Sequence, residues 1–168
     1  MKSMSFCITA LGKMAIVDEG RSITQLCLPG ELPPSDAALQ NTDLLDEAIE
    51  QLKSYLCGER RIFELPLAPQ GTDFMQRVWQ CLLAIPYGET SCYREIAESL
   101  NKPLAFRAVG AACRRNPLPL FIPCHRVIGR DGSLTGYRGG LQIKEQLLNL
   151  EGADIGKREC HKDRNPRR

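Results

Sequence analysis

The sequence has very little histidine and no long apolar segment. Of its two histidines, His125 lies in the body of the chain and His161 in the polar end. No apolar run approaches the ~20 residues of a membrane-spanning helix. The N-terminus lacks the apolar core and cleavage site of a signal peptide. We therefore expect a cytoplasmic protein, or a nuclear one in a eukaryote, with no membrane partner.

The net charge is also small, but it is unevenly distributed. The formal net charge of +2 combines seven basic and eleven acidic residues in 1–84 with nine basic and six acidic in 85–151. Residues 152–168 add six basic and three acidic residues. A polyanion such as nucleic acid would therefore bind to the second half of the chain. The length of 168 residues suits one domain or two small ones, and a hydrophobic share of 43% is enough for a core.

The eight cysteines do not form a metal-binding pattern. They are scattered, and several lie in helical patterns, so free thiols are the simplest interpretation. Cys7 and Cys27 come nearest to a zinc site, but zinc needs four ligands and no histidine is near in sequence. We predict two thiols packed within strands and no metal.

The first third of the chain predicts a sheet followed by a helix. Short apolar segments separated by turn residues predict strands at 5–11, 13–17 and 22–28. The polar residues 35–42 predict a linker, and 43–56 carry apolar residues at helical spacing. We expect a small α/β domain with a three-stranded antiparallel sheet.

The remainder predicts mostly helices. Thr72 is expected to cap a helix that runs to about residue 84, with Trp79 in the core. Segments 93–100 and 103–114, joined by a short turn, have the outline of a helix-turn-helix. A last helix is predicted at 141–150.

The second helix of this pair has little side-chain bulk, with Ala105, Ala108, Gly110, Ala111 and Ala112. A helix that reads the major groove normally carries long polar side chains. A thin helix can instead approach the minor groove, which suits a protein that scans all sequences for a lesion. Small residues equally permit close helix packing, and composition leaves both interpretations open.

The segment 121–127, Phe-Ile-Pro-Cys-His-Arg-Val, carries the reactive groups. Its first two residues predict a short buried strand that ends at Pro123. Cys124 follows in a loop, with His125 next to it. A lone cysteine here is usually a small buried hydrophobe. A thiol with a base beside it can instead form the attacking thiolate, which predicts a nucleophile.

Pro-Cys-His-Arg-Val resembles the acceptor pentapeptide of the O6-alkylguanine-DNA alkyltransferases, the methylated-DNA–protein-cysteine methyltransferases. The resemblance covers roughly residues 5–151. It includes Gly-Thr-Asp-Phe at 71–74, Ala-Phe-Arg-Ala-Val-Gly at 105–110 and Gly-Gly-Leu-x-x-Lys-Glu at 139–145.

The resemblance implies a two-domain architecture. Residues 1–67 would form a ribonuclease H-like α/β domain, and 68–71 a linker. Residues 72–151 would form a mostly α catalytic domain with a winged helix-turn-helix-like DNA-binding motif. We expect the basic tail, 152–168, to be disordered.

The resemblance also implies catalytic roles. Cys124 accepts the alkyl group, His125 takes the thiol proton through a water, and Glu145 holds the histidine. Tyr93 crowds the target phosphate and protonates guanine N3. Asn116 ties the recognition helix to the active site.

Further residues are implied to contact DNA or the lesion base. Arg107 enters the base stack and fills the gap left by the extruded nucleotide. Pro119 lines the base pocket, and Tyr137 packs on the flipped base. Arg138 stands where many relatives have a serine that contacts guanine O6, so only its backbone N–H keeps that role. Ala108 and Val127 are also implied to contact the DNA or the lesion base.

The implied function is direct reversal of DNA damage. An alkyl group would pass irreversibly from guanine O6 in duplex DNA to Cys124 after base flipping. No cofactor is implied, because the leaving group is repaired guanine, and each molecule would act once. The protein is expected to be a monomer, and cooperative DNA binding and activity on O4 of thymine stay open.

Two other function classes share features with this sequence. A Cys-His-Glu triad alone also fits a hydrolytic enzyme, although no oxyanion motif is recognisable and the thin helix argues against it. A non-catalytic lesion-binding relative would lack the acceptor cysteine, and Cys124 is present.

Overall fold

The N-terminal domain is a four-stranded mixed sheet with one helix. The computed structural model describes residues 1–155. The elements are β1 (Lys2–Thr9), β2 (Gly12–Asp18), β3 (Ile23–Cys27), β4 (Ala37–Leu39) and α1 (Asp43–Leu56). The strand order is β3-β2-β1-β4, in which β1, β2 and β3 are antiparallel neighbours and β4 runs parallel to β1.

Strand β4 was not predicted, and the expected three-stranded sheet is wrong by this one strand. Ala37, Ala38 and Leu39 pair with residues 2–4 of β1. Ala38 and Leu39 are exposed, so no apolar alternation marks the segment as a strand. Its extended form comes from backbone pairing with β1, which a polar segment can also make.

Helix α1 has the bounds that its apolar spacing predicts. Thr42 precedes it, and its Oγ1 accepts a hydrogen bond from the Leu45 backbone N–H at 3.1 Å. The buried side chains of α1 pack against β1 and β2. Among them is Tyr55, in the last turn.

The C-terminal domain is built mainly from helices. Its elements are α2 (Asp73–Leu83), β5 (Ser91–Cys92), α3 (Tyr93–Ser99), α4 (Phe106–Arg114), a 3-10 turn (Cys124–Arg126), β6 (Val127–Ile128) and α5 (Leu141–Leu150). Thr72 caps α2 as predicted. Trp79 is buried, and its Nε1 donates to the Ala112 carbonyl at 3.0 Å, which ties α2 to α4. The core position predicted for Trp79 is confirmed, as is the fold class.

Two local predictions in this domain are wrong. Helix α4 begins at Phe106, because 103–105 form turns instead of a first helical turn. Phe121 and Ile122 form no strand. The Ile122 N–H donates to the Leu118 carbonyl at 2.8 Å, so a local turn satisfies the backbone that a strand partner would otherwise bind.

The two domains are in direct contact. The Leu26 N–H of β3 donates to the Pro117 carbonyl at 2.8 Å, and one apolar core includes buried residues from both domains. The limits 1–67, 68–71 and 72–151 stay predictions. Most of the tail predicted as disordered, 156–168, lies outside the described residues.

Within residues 1–155, no helix is long and apolar enough to cross a membrane. In the same range, no three His, Cys, Asp or Glu residues cluster as metal ligands. Six cysteines are free thiols, including buried Cys7 and Cys27.

We predict that Thr42→Ala lowers the free energy of unfolding by about 1–2 kcal/mol. The change removes the α1 cap and the bond from Thr42 Oγ1 to buried Asp18 Oδ2, 2.5 Å away. Urea unfolding measures the loss. Thr42→Ser keeps the hydroxyl and is the control, and equal stability of the Ala variant and the wild type would contradict the prediction.

Candidate active site

Cys124 opens the 3-10 turn and is only 6% exposed. Burial raises the pKa of its thiol, and this outweighs the lowering by the Asn116 side chain and by the charges of Lys144 and Arg138. The resting sulfur is therefore a protonated thiol. It needs a base to become a nucleophile.

His125 follows in the same turn and is completely buried. Burial lowers its pKa, although the bond to Glu151 acts in the opposite direction. The ring is therefore neutral near pH 7, with one nitrogen protonated. Its Nε2 lies 2.9 Å from Glu151 Oε1. The carboxylate can only accept, so the proton is on Nε2 and Nδ1 is left as an acceptor.

The Nδ1 atom has no hydrogen-bond partner in the described structure, although it is buried. Buried polar atoms are nearly always paired with protein or ordered water. The residue next to Cys124 in the chain therefore has a buried nitrogen that is able to accept a proton.

The residue that holds His125 is Glu151, and the prediction of Glu145 for this position is wrong. Glu145 is exposed on α5, and its neighbour Lys144 points inward. Glu151 follows the last residue of α5 as its C-cap. Helical spacing could not select it, because the residue lies past the end of the helix.

The Glu151 carboxylate is fully buried and surrounded by donors. Arg126 forms an ion pair with it at 2.8 Å from Nη2 to Oε1 and also donates from Nε at 3.0 Å to Oε2. The Tyr55 hydroxyl donates to Oε1 at 2.6 Å. Burial alone would raise the pKa of Glu151, but the bonds from His125, Arg126 and Tyr55 lower it to about 2. The group is therefore a permanent anion at neutral pH.

Gly88 brings the backbone close to this carboxylate. Its N–H lies 3.3 Å from Glu151 Oε2, and its φ is +79°. A Cβ atom on this residue would lie 2.9 Å from the Glu151 carbonyl oxygen. Glycine is therefore required by both the conformation and the space.

Lys144 is a second buried charge near the thiol. Its Nζ donates to the Val127 carbonyl at 2.6 Å and to the Thr135 carbonyl at 2.8 Å. Burial lowers its pKa to about 8, against the raising effect of Cys124 and Cys113. The ammonium therefore fixes the loop that follows the 3-10 turn and contributes positive potential toward the sulfur.

The helix pair and the loop enclose a pocket of about 380 Å³. It is lined by Tyr93, Phe106, Arg107, Gly110, Arg114, Thr135 and Gly136. The Tyr93 hydroxyl lies 3.3 Å from the Thr135 carbonyl, and its ring lies against Gly110, where a Cβ would come within 3.7 Å. The small residues of α4 thus allow close packing, and exposed Arg107 stands at the pocket.

Arg138 is turned toward the N-terminal domain. Its Nε lies 2.5 Å from Glu31 Oε1, and its Nη1 donates to the Asn116 carbonyl at 2.7 Å. The Asn116 amide nitrogen donates to the Ile122 carbonyl at 2.8 Å, and the Asn116 carbonyl of the side chain accepts from the Leu118 N–H. These bonds join the end of α4 to the segment that precedes Cys124.

The other residues predicted for the base pocket lie at different depths. Tyr137 has a buried hydroxyl with no partner in the described structure, and burial raises its pKa well above 10. Pro119 and Val127 are buried, whereas Ala108 is exposed on α4. None of these four lines the 380 Å³ pocket, and neither does Cys124.

Sequence reasoning missed three participants: Tyr55, Lys144 and Glu151. Lys144 is a charged residue on a helix, and a helical pattern places such a side chain in solvent by default. Tyr55 lies 70 residues from His125 in sequence. No local pattern could connect it to the site.

Both domains match families of known proteins. Residues 73–153 match the model of the 6-O-methylguanine DNA methyltransferase DNA-binding domain, and residues 4–69 match the ribonuclease-like domain of the same proteins. The chain is 48% identical over 150 residues to the constitutive methylated-DNA–protein-cysteine methyltransferase of Bacillus subtilis, covering 85% of this chain and 91% of the relative. It is 57% identical over 113 residues to that of Methanosarcina barkeri, covering 67% and 72%.

A solved structure supports the same relationship. The crystal structure of Mycobacterium tuberculosis OGT in complex with DNA superposes with a TM-score of 0.85 at 40% identity, covering 89% of this chain and 92% of that chain. With matching models over both domains and relatives of this identity, the chain belongs to the 6-O-methylguanine DNA methyltransferase family.

Proposed function

We propose that this protein repairs alkylated duplex DNA by transferring the alkyl group from guanine O6 to the Cys124 sulfur. The observation that carries the proposal is the buried His125, held at Nε2 by Glu151, whose Nδ1 is unpaired in the described structure and which directly follows Cys124 in the chain. The relatives that bear the name of this activity supply the substrate class.

The first step is binding and base flipping. The O6-alkyl carbon cannot be reached inside the stack, so the nucleotide must rotate out. Arg107 at the pocket entrance would fill the gap, and Tyr93 would crowd the phosphate. Cys124 is only 6% exposed, so the residues around it must shift before a purine reaches the sulfur. Pro119, Val127 and Tyr137 would then contact the base.

The second step is proton removal. The Cys124 proton passes to His125 Nδ1, through a bridging water, and the imidazolium is stabilised by the Glu151 anion. The same low-dielectric surroundings that raise the thiol pKa make the thiolate reactive once formed. Lys144 and Arg138 lower the energy of the anion.

The third step is alkyl transfer. The thiolate attacks the alkyl carbon, the S–C bond forms and the C–O bond breaks. The leaving guanine takes up a proton at N3, for which the Tyr93 hydroxyl is the proposed donor. Burial raises the pKa of Tyr93, so the hydroxyl is protonated at neutral pH. The thioether is stable, so each molecule acts once, without cofactor.

The proposed reaction takes place where the DNA is, in the cytoplasm of a bacterium or archaeon and in the nucleus of a eukaryote. A hydrolytic Cys-His-Glu enzyme would turn over repeatedly and leave the cysteine unmodified. The two classes therefore give different products on the protein itself.

Incubation with excess duplex DNA that contains O6-methylguanine tests the proposal. We expect one methyl group per protein molecule, found by mass spectrometry on the peptide that contains Cys124. Cys124→Ser abolishes the transfer, because the alkoxide is a far less accessible nucleophile. Cys57→Ser, at an exposed free cysteine, is the control. Transfer by the Cys124 variant, or many turnovers per molecule, would overturn the proposal.

A second prediction separates the two glutamates of this region. Glu151→Gln should slow methyl transfer by at least about a hundredfold, because the imidazole loses its orienting anion. Glu145→Gln is the matched control and should react at the wild-type rate, since Glu145 is exposed. Single-turnover rates are measured at pH 7, with circular dichroism to verify folding. Equal rates for both variants would refute the role of Glu151.

Glu151 also makes stability depend on pH. Its folded pKa of about 2 lies below the unfolded value, so its contribution of about 3 kcal/mol is present above about pH 4.5 and disappears as pH falls toward 2. We expect the Glu145→Gln variant to lose this stability at low pH as the wild type does. The Glu151→Gln variant should not show this loss. Urea unfolding between pH 7 and 3 measures the slopes.

The role of Arg107 is tested by comparing two DNA forms. Arg107→Ala should lower the transfer rate on duplex DNA by on the order of a hundredfold, since flipping costs a few kcal/mol. On a single strand with the same lesion the defect should be much smaller, because no gap has to be filled. Arg115→Ala removes an equal charge near the end of α4 as the control. Identical defects on both DNA forms would contradict the role.

A further inference from the structure

Tyr55 belongs to the N-terminal domain, yet its hydroxyl lies inside the catalytic network. It is the last but one residue of α1 and is completely buried. The hydroxyl donates to Glu151 Oε1 at 2.6 Å, and its oxygen lies 3.4 Å from His125 Nε2. Among the described residues of the N-terminal domain, Tyr55 alone hydrogen-bonds to the Glu151 carboxylate.

The ring of Tyr55 is fixed by aromatic neighbours. Phe63 packs at 5.0 Å between ring centroids, and Tyr87 meets the ring edge-on at 6.2 Å. These contacts hold the ring independently of the hydroxyl. The hydroxyl can therefore be removed without loss of the packing that positions the ring.

Three donors converge on a single carboxylate oxygen. Glu151 Oε1 receives the Tyr55 hydroxyl, His125 Nε2–H and the Arg126 guanidinium. Arg126 binds both carboxylate oxygens and therefore does not by itself determine which one faces the imidazole. The Tyr55 hydroxyl binds Oε1 alone.

The hydroxyl remains a donor throughout the working pH range, because burial and the Glu151 charge raise the Tyr55 pKa strongly. The hydroxyl holds Oε1, which lies 2.9 Å from Nε2, and its own oxygen lies 3.4 Å from the same nitrogen. Both oxygens can accept from Nε2–H, which favours the imidazole with its proton on Nε2. That tautomer is the one that leaves Nδ1 as the acceptor.

We propose that Tyr55 is a positioning residue for alkyl transfer: it fixes the Glu151 carboxylate so that His125 keeps Nδ1 free for the thiol proton. The proposal rests on the proposed function. Through Tyr55, the N-terminal domain takes part in the reaction without touching the DNA base or the sulfur.

Tyr55→Phe tests the proposal in the full-length protein. The matched control is Tyr87→Phe, which removes a hydroxyl from the same aromatic cluster. The Tyr87 hydroxyl donates to the Leu150 carbonyl at 3.3 Å and is not bonded to the carboxylate. We expect the single-turnover methyl-transfer rate to fall about tenfold in Tyr55→Phe and to stay within about twofold of wild type in the control.

A second readout does not depend on transfer. In protein labelled with ¹⁵N at histidine, the ring nitrogen shifts of His125 report which nitrogen is protonated. We expect one Nε2-protonated form in the wild type and in Tyr87→Phe, and a mixture of forms in Tyr55→Phe. A structural role would change unfolding alone and would leave the tautomer as it is.

The outcomes distinguish the two proposals. If the wild type transfers methyl groups and Tyr55→Phe keeps both the wild-type rate and the single tautomer, the positioning role is wrong. Equal rate losses in both Tyr→Phe variants would overturn it as well. If the wild type transfers no methyl group, the proposed function fails, and the histidine spectra still decide whether Tyr55 sets the tautomer.

Discussion

The structure depends on one buried negative charge. Removing a carboxylate from water costs several kcal/mol unless charge and hydrogen bonds replace the solvent. Glu151 obtains both, from Arg126, His125, Tyr55 and the Gly88 N–H. These partners come from three separate stretches of the chain, namely α1, the turn at Gly88 and the 3-10 turn, so the two domains meet at the same carboxylate.

The paired charge explains how a chain so poor in histidine maintains a usable base. A histidine in a dry interior is neutral, which is the state that a base requires. The adjacent anion does not need to protonate it at rest. In the proposed reaction it would stabilise the imidazolium that forms when His125 takes up the thiol proton, because the buried site has no solvent to do so.

Prediction from sequence succeeded where local patterns determine structure. The bounds of α1 and α5, the Thr72 cap and the buried Trp79 follow from apolar spacing and capping chemistry. Prediction failed where contacts between segments that are distant in sequence determine the structure. β4 exists because β1 offers backbone partners, and Glu151 lies past the end of α5, where helical spacing no longer applies. The family resemblance supplied the substrate class, which neither composition nor spacing contains.

The ion pair between Arg138 and Glu31 has a consequence for reactions in salt. Both side chains are about one third exposed or less, 34% and 26%, so mobile ions partly screen their attraction. Salt also weakens the electrostatic binding of a protein to DNA phosphates. Higher ionic strength would therefore weaken two contacts at once: the one that holds the loop of Arg138 to the N-terminal domain, and the electrostatic attraction between the protein and DNA phosphates.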